Sequence, residues 1–188
     1  MPRHPDTRDR IERAALSLFA SKGVNATTTK DIAAEVGISE GAIYRHFKGK
    51  DDLAWALFST PYFELADRID RVVAETATFA DRIDQMIDLF CALFDRDADL
   101  FAFILLSQHG LLPRVTDGMP NPVESLRRMF QAAIDRRECV GTDANLMAAM
   151  ALGLVTQPAT FILYGRLPRP MADLAPILSE AIKLAVMR

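Results

Sequence analysis

Residues 27–50 read Thr27-Thr28-Thr29-Lys30-Asp31-Ile32-Ala33-Ala34-Glu35-Val36-Gly37-Ile38-Ser39-Glu40-Gly41-Ala42-Ile43-Tyr44-Arg45-His46-Phe47-Lys48-Gly49-Lys50, and this stretch decides the fold. Two short helices are legible in it, joined by a tight turn. Thr28 is placed to cap the first, because its hydroxyl can accept a bond from an orphan N–H. Asp31, three residues on, can return that bond and suits the positive helix end. Ile32, Ala33 and Val36 supply the buried side. Gly37 falls where the helix must stop, since glycine takes the left-handed conformation without penalty. Ile38 points back to the core and Ser39 caps the second helix. That helix carries Ile43 and Phe47 inward and shows Glu40, Gly41, Tyr44 and Arg45 outward. Helix, glycine turn, helix is the helix-turn-helix pattern.

The second helix opens on small residues, Gly41 and Ala42, so its backbone can lie close to a flat polyanion. Its N-terminus offers N–H groups to phosphate. Tyr44 and His46 supply donors, and Lys48 and Lys50 supply charge. A small helical hairpin with a solvated polar face fits the same residues, so residue physics leaves both readings open.

The segment resembles the DNA-binding domain of the TetR family of bacterial transcriptional repressors. The motif positions are Gly23, Thr27-Thr28, Ile32-Ala33, Gly37-Ile38-Ser39, Gly41, Tyr44, His46-Phe47 and Lys50, with the spacing kept throughout. The resemblance covers about the first quarter of the chain; the rest is similar to the family in length and helical pattern. It implies an all-α fold of about nine helices: a three-helix DNA-binding domain over 1–50, then a helical ligand-binding and dimerisation bundle over 51–188. It also implies a homodimer joined by the last two helices into a four-helix bundle, and repression released by a small-molecule effector. Dimers set two recognition helices into successive major grooves, so a near-palindromic operator on double-stranded DNA is expected. Thr28, Tyr44 and Lys50 are the expected phosphate contacts, with the N–H groups of the helix that Ser39 caps. His46 either joins them or is a hydrogen-bonded packing histidine. Lys30, Glu40, Gly41, Ala42 and Arg45 are the base-edge candidates: Arg45 suits guanine, and Glu40 can accept from cytosine. Activation, or DNA binding without a ligand, is the alternative within the same fold.

Charge distribution agrees with binding at one end. The 188-residue chain has a net charge of −3, but residues 1–50 hold nine Lys/Arg against six Asp/Glu and the remainder 13 against 19. A basic head on an acidic body fits contact with DNA at the head. Cys91 and Cys139 lie far apart in apolar helical patterns, which reads as reduced thiols in a cytoplasmic protein. Met1–Arg13 is polar and no signal peptide. The unbroken apolar run Leu146–Val155 falls short of the roughly 18 residues that span a bilayer. No membrane association is expected.

Arg3 and His4 belong either to a DNA-reaching arm or to a frayed terminus. The first helix is predicted over about Asp6–Lys22, from the spacing of Ile11, Ala14, Ala15, Leu18 and Phe19, and Gly23 closes it. The fourth starts near Lys50, and Pro61 kinks or breaks it before it ends near Glu75. Thr78 starts the fifth, whose inner stripe is Ile83, Met86, Ile87, Phe90, Leu93 and Phe94. Asp81, Asp84 and Asp88 share another face, as a solvated surface or part of a metal site; no second ligand set accompanies them, so no metal is expected. A helix near Ala98–His109 is apolar nearly all round and is predicted to be central. Asn121 caps the next, with Pro122 in its first turn and Val123, Leu126, Met129, Phe130 and Ala133 inward. Helices follow over Asp143–Tyr164 and Ala172–Met187. Their apolar content exceeds what a monomer of this size needs to bury, unless they simply close its core.

Phe90, Phe94, Phe103, Met129 and Phe130 either line an effector cavity or are plain core. Gln108, His109 and Thr156 are the few polar groups placed to orient a small, mostly apolar ligand. An enzyme is not expected. The three histidines, His4, His46 and His109, lie near no nucleophile pattern, and there is no Gly-rich phosphate loop or zinc signature. Ser107 and His109, two apart on a helix, face apart. No cofactor is implied.

Overall fold

Helix α1 (Thr7–Lys22) buries Ile11, Ala15, Leu16 and Phe19 along one stripe and leaves Ala14 and Leu18 half-buried. It ends at Gly23, which takes φ +82° and donates its N–H to the Phe19 carbonyl. Behind it Thr27 is fully buried, and its hydroxyl donates to the Gly23 carbonyl at 2.9 Å. A buried hydroxyl without a partner costs about 1–3 kcal/mol, so this bond is what permits Thr27 to sit there.

The computed structural model describes residues 6–187. Among them there are nine α-helices and no strand. After α1 come α2 (Thr29–Val36), α3 (Glu40–Ile43), α4 (Lys50–Glu75), α5 (Phe79–Arg96), α6 (Ala98–Leu111), α7 (Pro122–Asp135), α8 (Ala144–Leu163) and α9 (Ala175–Val186). The architecture is all-α, with an N-terminal helix-turn-helix and a C-terminal helical bundle. Two compact units divide the chain. The first runs to Pro61 and adds Asp99–Asp117; the second holds Tyr62–Ala98 and everything from Gly118 on. A split of 1–50 from 51–188 draws the line at the start of α4, whereas these units meet within it.

In the first unit α1 packs on α2 and α2 on α3. Phe103 of α6 stacks on Phe19 with ring centroids 5.7 Å apart. Arg114 lies over the Trp55 ring at 4.3 Å and donates to the Asp51 carbonyl in the first turn of α4. Helix α6 was expected to be central, but of its described side chains only Ala102 and Phe103 are buried. Uniform apolarity does not say which neighbours will cover a helix. Pro61 does not break α4, which is one helix of 26 residues.

In the second unit α7 packs on α8, α5 on α9 and α8 on α9. Thr78 caps α5 by accepting from the Asp81 N–H, and Asn121 caps α7 by accepting from Val123 and Glu124. The α5 stripe is as expected except that Leu93 is half-buried, with Phe79 and Cys91 buried beside it. In α7 the exception is Val123, which is 46% exposed. The last helix starts later than its pattern suggests: Met171–Leu174 is a 3-10 turn, and Pro176 sits in the first turn of α9. Asp95 fixes that turn, its carboxylate accepting from the N–H groups of Met171 (2.8 Å) and Ala172 (2.9 Å).

Helix α8, although its unbroken apolar run is shorter, is long and apolar enough to cross a bilayer by length and composition alone. A core helix of a water-soluble bundle passes the same test. Here Asp143 caps it, and Ala144, Met147, Ala148, Val155, Ala159 and Ile162 are buried within the bundle. Both cysteines are free and buried. Burial, with Asp95 and Asp88 nearby, pushes the Cys91 thiol up to about 11, so it stays protonated at neutral pH.

The aspartates of α5 have separate tasks. Asp81 pairs with Thr78, and Asp84 accepts from Ser179 and, at 2.6 Å, from Lys183 of α9. Among the described residues no three His, Cys, Asp or Glu side chains gather as a metal site. Burial works against the charge on Asp84. The bonds from Lys183 and Ser179 outweigh it and hold the carboxyl below its usual value. A depressed carboxylate contributes stability that is present above its unfolded value and lost as pH falls through the folded one. Denaturant titrations should therefore show wild type losing part of its advantage over Asp84→Asn as pH falls below about 4, whereas the gap between them stays constant from about pH 6 to 8. A gap that does not change with pH would refute this role.

Candidate nucleic-acid interface and cavity

The first helix of the motif is fixed at both ends. At its start Thr28 and Asp31 form a reciprocal box. The Asp31 N–H donates to the Thr28 hydroxyl at 3.1 Å, and the Thr28 N–H donates to the Asp31 carboxylate at 2.9 Å. These bonds from the Thr28 backbone and hydroxyl hold the Asp31 carboxyl below its usual value. At its end Gly37 takes φ +74° and ψ +39°. The Gly37 N–H then reaches the Ala34 carbonyl and the Ile38 N–H reaches Ala33, which satisfies the last carbonyls of α2 in a Schellman turn. Arg10 of α1 adds a bond to the Val36 carbonyl at 2.6 Å. Its sequence position gave no sign of this, because the bond depends on how α1 crosses α2.

Helix α3 is one turn long, followed by a turn over residues 44–46. The sequence suggested a longer helix capped by Ser39. Ser39 has the extended backbone of a cap, but its side chain makes no capping bond. Gly41 inside the turn further weakens helix propagation. Ile43 and Phe47 are nonetheless both buried, as the four-residue spacing required. Arg8 of α1 lies 4.8 Å over the Phe47 ring, a contact with no sequence signal.

Lys30, Ser39, Glu40, Gly41, Tyr44, Arg45 and Lys48 are exposed, and Ala42, His46 and Lys50 are half-buried. Thr28 is exposed, with its hydroxyl committed to Asp31 at 2.8 Å. The Lys50 ammonium donates to the Asn25 carbonyl at 3.3 Å, leaving two of its three N–H groups for other acceptors. Glu40 accepts a bond from the hydroxyl of Thr29, a residue that sequence reasoning passed over. Arg3 and His4 lie outside the described residues. A Cβ built on Gly41 would meet only the Ser39 hydroxyl, at 4.0 Å, so the fold itself does not require glycine there.

In the second unit a cavity of about 30 Å³ is lined by α5 (Ile83, Met86, Ile87, Phe90), α7 (Leu126, Met129, Phe130), α8 (Ala151, Leu152, Val155) and Ile182 of α9. Every lining residue is apolar. Of the cavity candidates it gathers Phe90, Met129 and Phe130. Phe94 is core, with Arg169 5.4 Å over its ring. Phe103 packs on Phe19 instead. Thr156 does not line the cavity, since its hydroxyl donates to the Leu152 carbonyl of its own helix. His109 is exposed at the end of α6, and the side chain of Gln108 lies outside the described residues. The volume holds about two waters, far below the 300 Å³ or more of a ligand pocket.

Residues 11–57 match the profile of bacterial regulatory proteins of the tetR family. The nucleoid occlusion factor SlmA of Aliivibrio fischeri (strain MJ11) is 26% identical over 163 residues, spanning 82% of either chain. The ketosteroid transcriptional regulator KstR2 of Mycobacterium tuberculosis has a similar fold, with a TM-score of 0.80 at 16% identity over 99% of this chain and 97% of that one. The regulator FadR of Bacillus subtilis, solved in complex with stearoyl-CoA, gives 0.68 at 20% identity over 92% and 96%.

The two glycines of the motif should respond oppositely to alanine. Gly37→Ala places a Cβ in the left-handed region and should cost about 1–2 kcal/mol of stability. Gly41→Ala, helical and unobstructed, should be neutral or add up to about 1 kcal/mol. Urea denaturation of both variants measures this, and equal losses would refute it.

Proposed function

Since this chain belongs to the TetR family of bacterial regulatory proteins, we propose that it is a ligand-responsive transcriptional repressor that binds a near-palindromic DNA operator as a homodimer. The observation that carries the proposal is the α2–Gly37–α3 unit, with α2 capped at its start and closed at Gly37, which turns Lys30, Gly41, Tyr44 and Arg45 to solvent. Tyr44, Lys50 and the N–H groups beside Ser39 contact phosphates, and His46 joins them, while Thr28, expected among these contacts, has both its donors bonded to Asp31 and holds the start of α2 instead. Lys30, Glu40, Ala42 and Arg45 face base edges, where Arg45 can pair with guanine, and Gly41 lets the backbone approach. Its setting is the bacterial cytoplasm, and its role is regulation without catalysis.

The dimer forms through α8 and α9. Leu146 (55% exposed) and Phe161 (45%) on α8, and Ile177 (68%) and Leu184 (77%) on α9, are apolar side chains that the monomer leaves uncovered. A second copy covers them and removes that apolar surface from water.

The effector is small and mostly apolar, because the cavity has no polar lining. It must widen the cavity to enter. Helix α7 contributes three lining residues and is bonded to α4 twice. Tyr62 donates to Asn121 at 3.1 Å, and Arg128 pairs with Asp70 at 2.9 Å. A displaced α7 therefore pulls on α4, whose first turn begins at Lys50, and a ligand that favours this state shifts the population away from DNA.

A second reading is favoured by the likeness to SlmA over most of both chains. On it, the protein binds DNA as a nucleoid factor with no dissociating ligand, and the cavity is only a packing void.

Selection from random DNA, followed by footprinting at fixed salt, tests the first reading. It should return a near-palindrome with half-sites about one helical turn apart. On that probe Lys50→Ala should weaken binding to all sequences and flatten the salt dependence, while Arg45→Ala should relax preference at one position per half-site. If both bind like wild type, the docking orientation is wrong. Release of the probe by saturated acyl compounds favours repression, and no release by any of them favours the nucleoid reading. Light scattering should give a dimer at micromolar concentration for wild type and a monomer for Ile177→Glu/Leu184→Glu. A monomeric wild type would remove the dimer.

A further inference from the structure

Glu40 poses an electrostatic problem that Thr29 answers. It stands in the first turn of α3, exposed, on the face proposed to meet a polyanion. A carboxylate only accepts hydrogen bonds and is repelled by phosphate. The donors that the major groove offers it are the amino groups of cytosine and adenine, whereas guanine and thymine present carbonyl acceptors in the corresponding places. A carboxylate on this face therefore either loses binding energy or selects an amino-bearing base.

Thr29 decides how the carboxylate is held. Its hydroxyl, at the start of α2, donates to Glu40 at the start of α3. The neighbouring capping groups, Thr28 and Asp31, are already committed to each other. One oxygen of Glu40 is thus engaged within the protein, and its other oxygen retains capacity for a base. Gly41 and Ala42 have no side-chain donors, so no other side chain in residues 40–42 can read a base edge through hydrogen bonds.

We infer that Thr29 and Glu40 form a two-residue specificity element, in which Thr29 positions the Glu40 carboxylate to accept from a cytosine or adenine amino group and to repel a keto base at the same position. The inference rests on the DNA-binding reading. Glu40 is the contacting residue and Thr29 the positioning one. Rejection supplies as much of the discrimination as attraction, because a wrong base sets two acceptors against each other.

The experiment is in vitro selection and sequencing with the full-length protein and its variants at one salt concentration. Wild type should prefer an amino-bearing base at one position per half-site by about tenfold or more. Thr29→Val should lower that preference severalfold and leave the other positions unchanged, and Thr29→Ser should keep it. Glu40→Gln should admit guanine or thymine there, because an amide also donates. If Thr29→Val enriches nothing, through misfolding, Thr29→Ser and Glu40→Gln decide. Thr29→Val folding normally with an unchanged base preference would overturn the pair. So would Glu40→Gln with preferences identical to wild type. Wild type enriching no sequence at all would overturn the operator-binding reading and the inference with it.

Discussion

One backbone conformation, φ +74° at Gly37, governs where the side chains of α3 point. Helix α2 must stop there, reverse and hand over to α3 within three residues. A side chain at that position would raise the energy of the only conformation that lets the Gly37 and Ile38 N–H groups close the helix. With the turn set, Ile43 and Phe47 fall inward to join Ile32, Ala33 and Val36, and the face opposite them carries the polar residues. The contacts from α1, Arg10 on the Val36 carbonyl and Arg8 over Phe47, tie this geometry to the first helix.

The second unit is organised by a different constraint, a surplus of apolar surface. Helices α8 and α9 are apolar on more than one side. One side is covered by α5 and α7, while Leu146, Phe161, Ile177 and Leu184 lie outward. The same packing leaves a small apolar cavity where α5, α7, α8 and α9 converge. The polar ties of the unit run along its edges: Asp84 to Lys183, Tyr62 to Asn121, Asp95 to the 3-10 turn.

Local signals in this chain were strong wherever one residue type has one structural use. Thr28, Asp31, Gly37, Thr78 and Asn121 all stand at helix ends, as their chemistry requires. Signals failed where the outcome depends on what lies across from a residue. Ser39 has a capping backbone and no capping bond. Thr156 looked free to face a ligand, yet back-bonds to its own helix. Phe94 and Phe103 matched the aromatic pattern of a cavity and are packed elsewhere. Apolar side chains are interchangeable as burial signals, so periodicity cannot distinguish a core position from a cavity wall.

By itself, then, the sequence determined the helix-turn-helix, the helix boundaries near strong caps, and the concentration of positive charge in the first fifty residues. These depend on interactions spanning only a few residues along the chain, through a cap, a glycine turn or a period of 3.6. The tertiary structure alone decided that α6 would join the first compact unit, that α4 would run unbroken through Pro61, which residues would enclose the void, and that Glu40 would be held by Thr29. Each of these is set by the packing of segments distant in sequence or by side-chain geometry across a turn, and such contacts exist only once the helices are assembled.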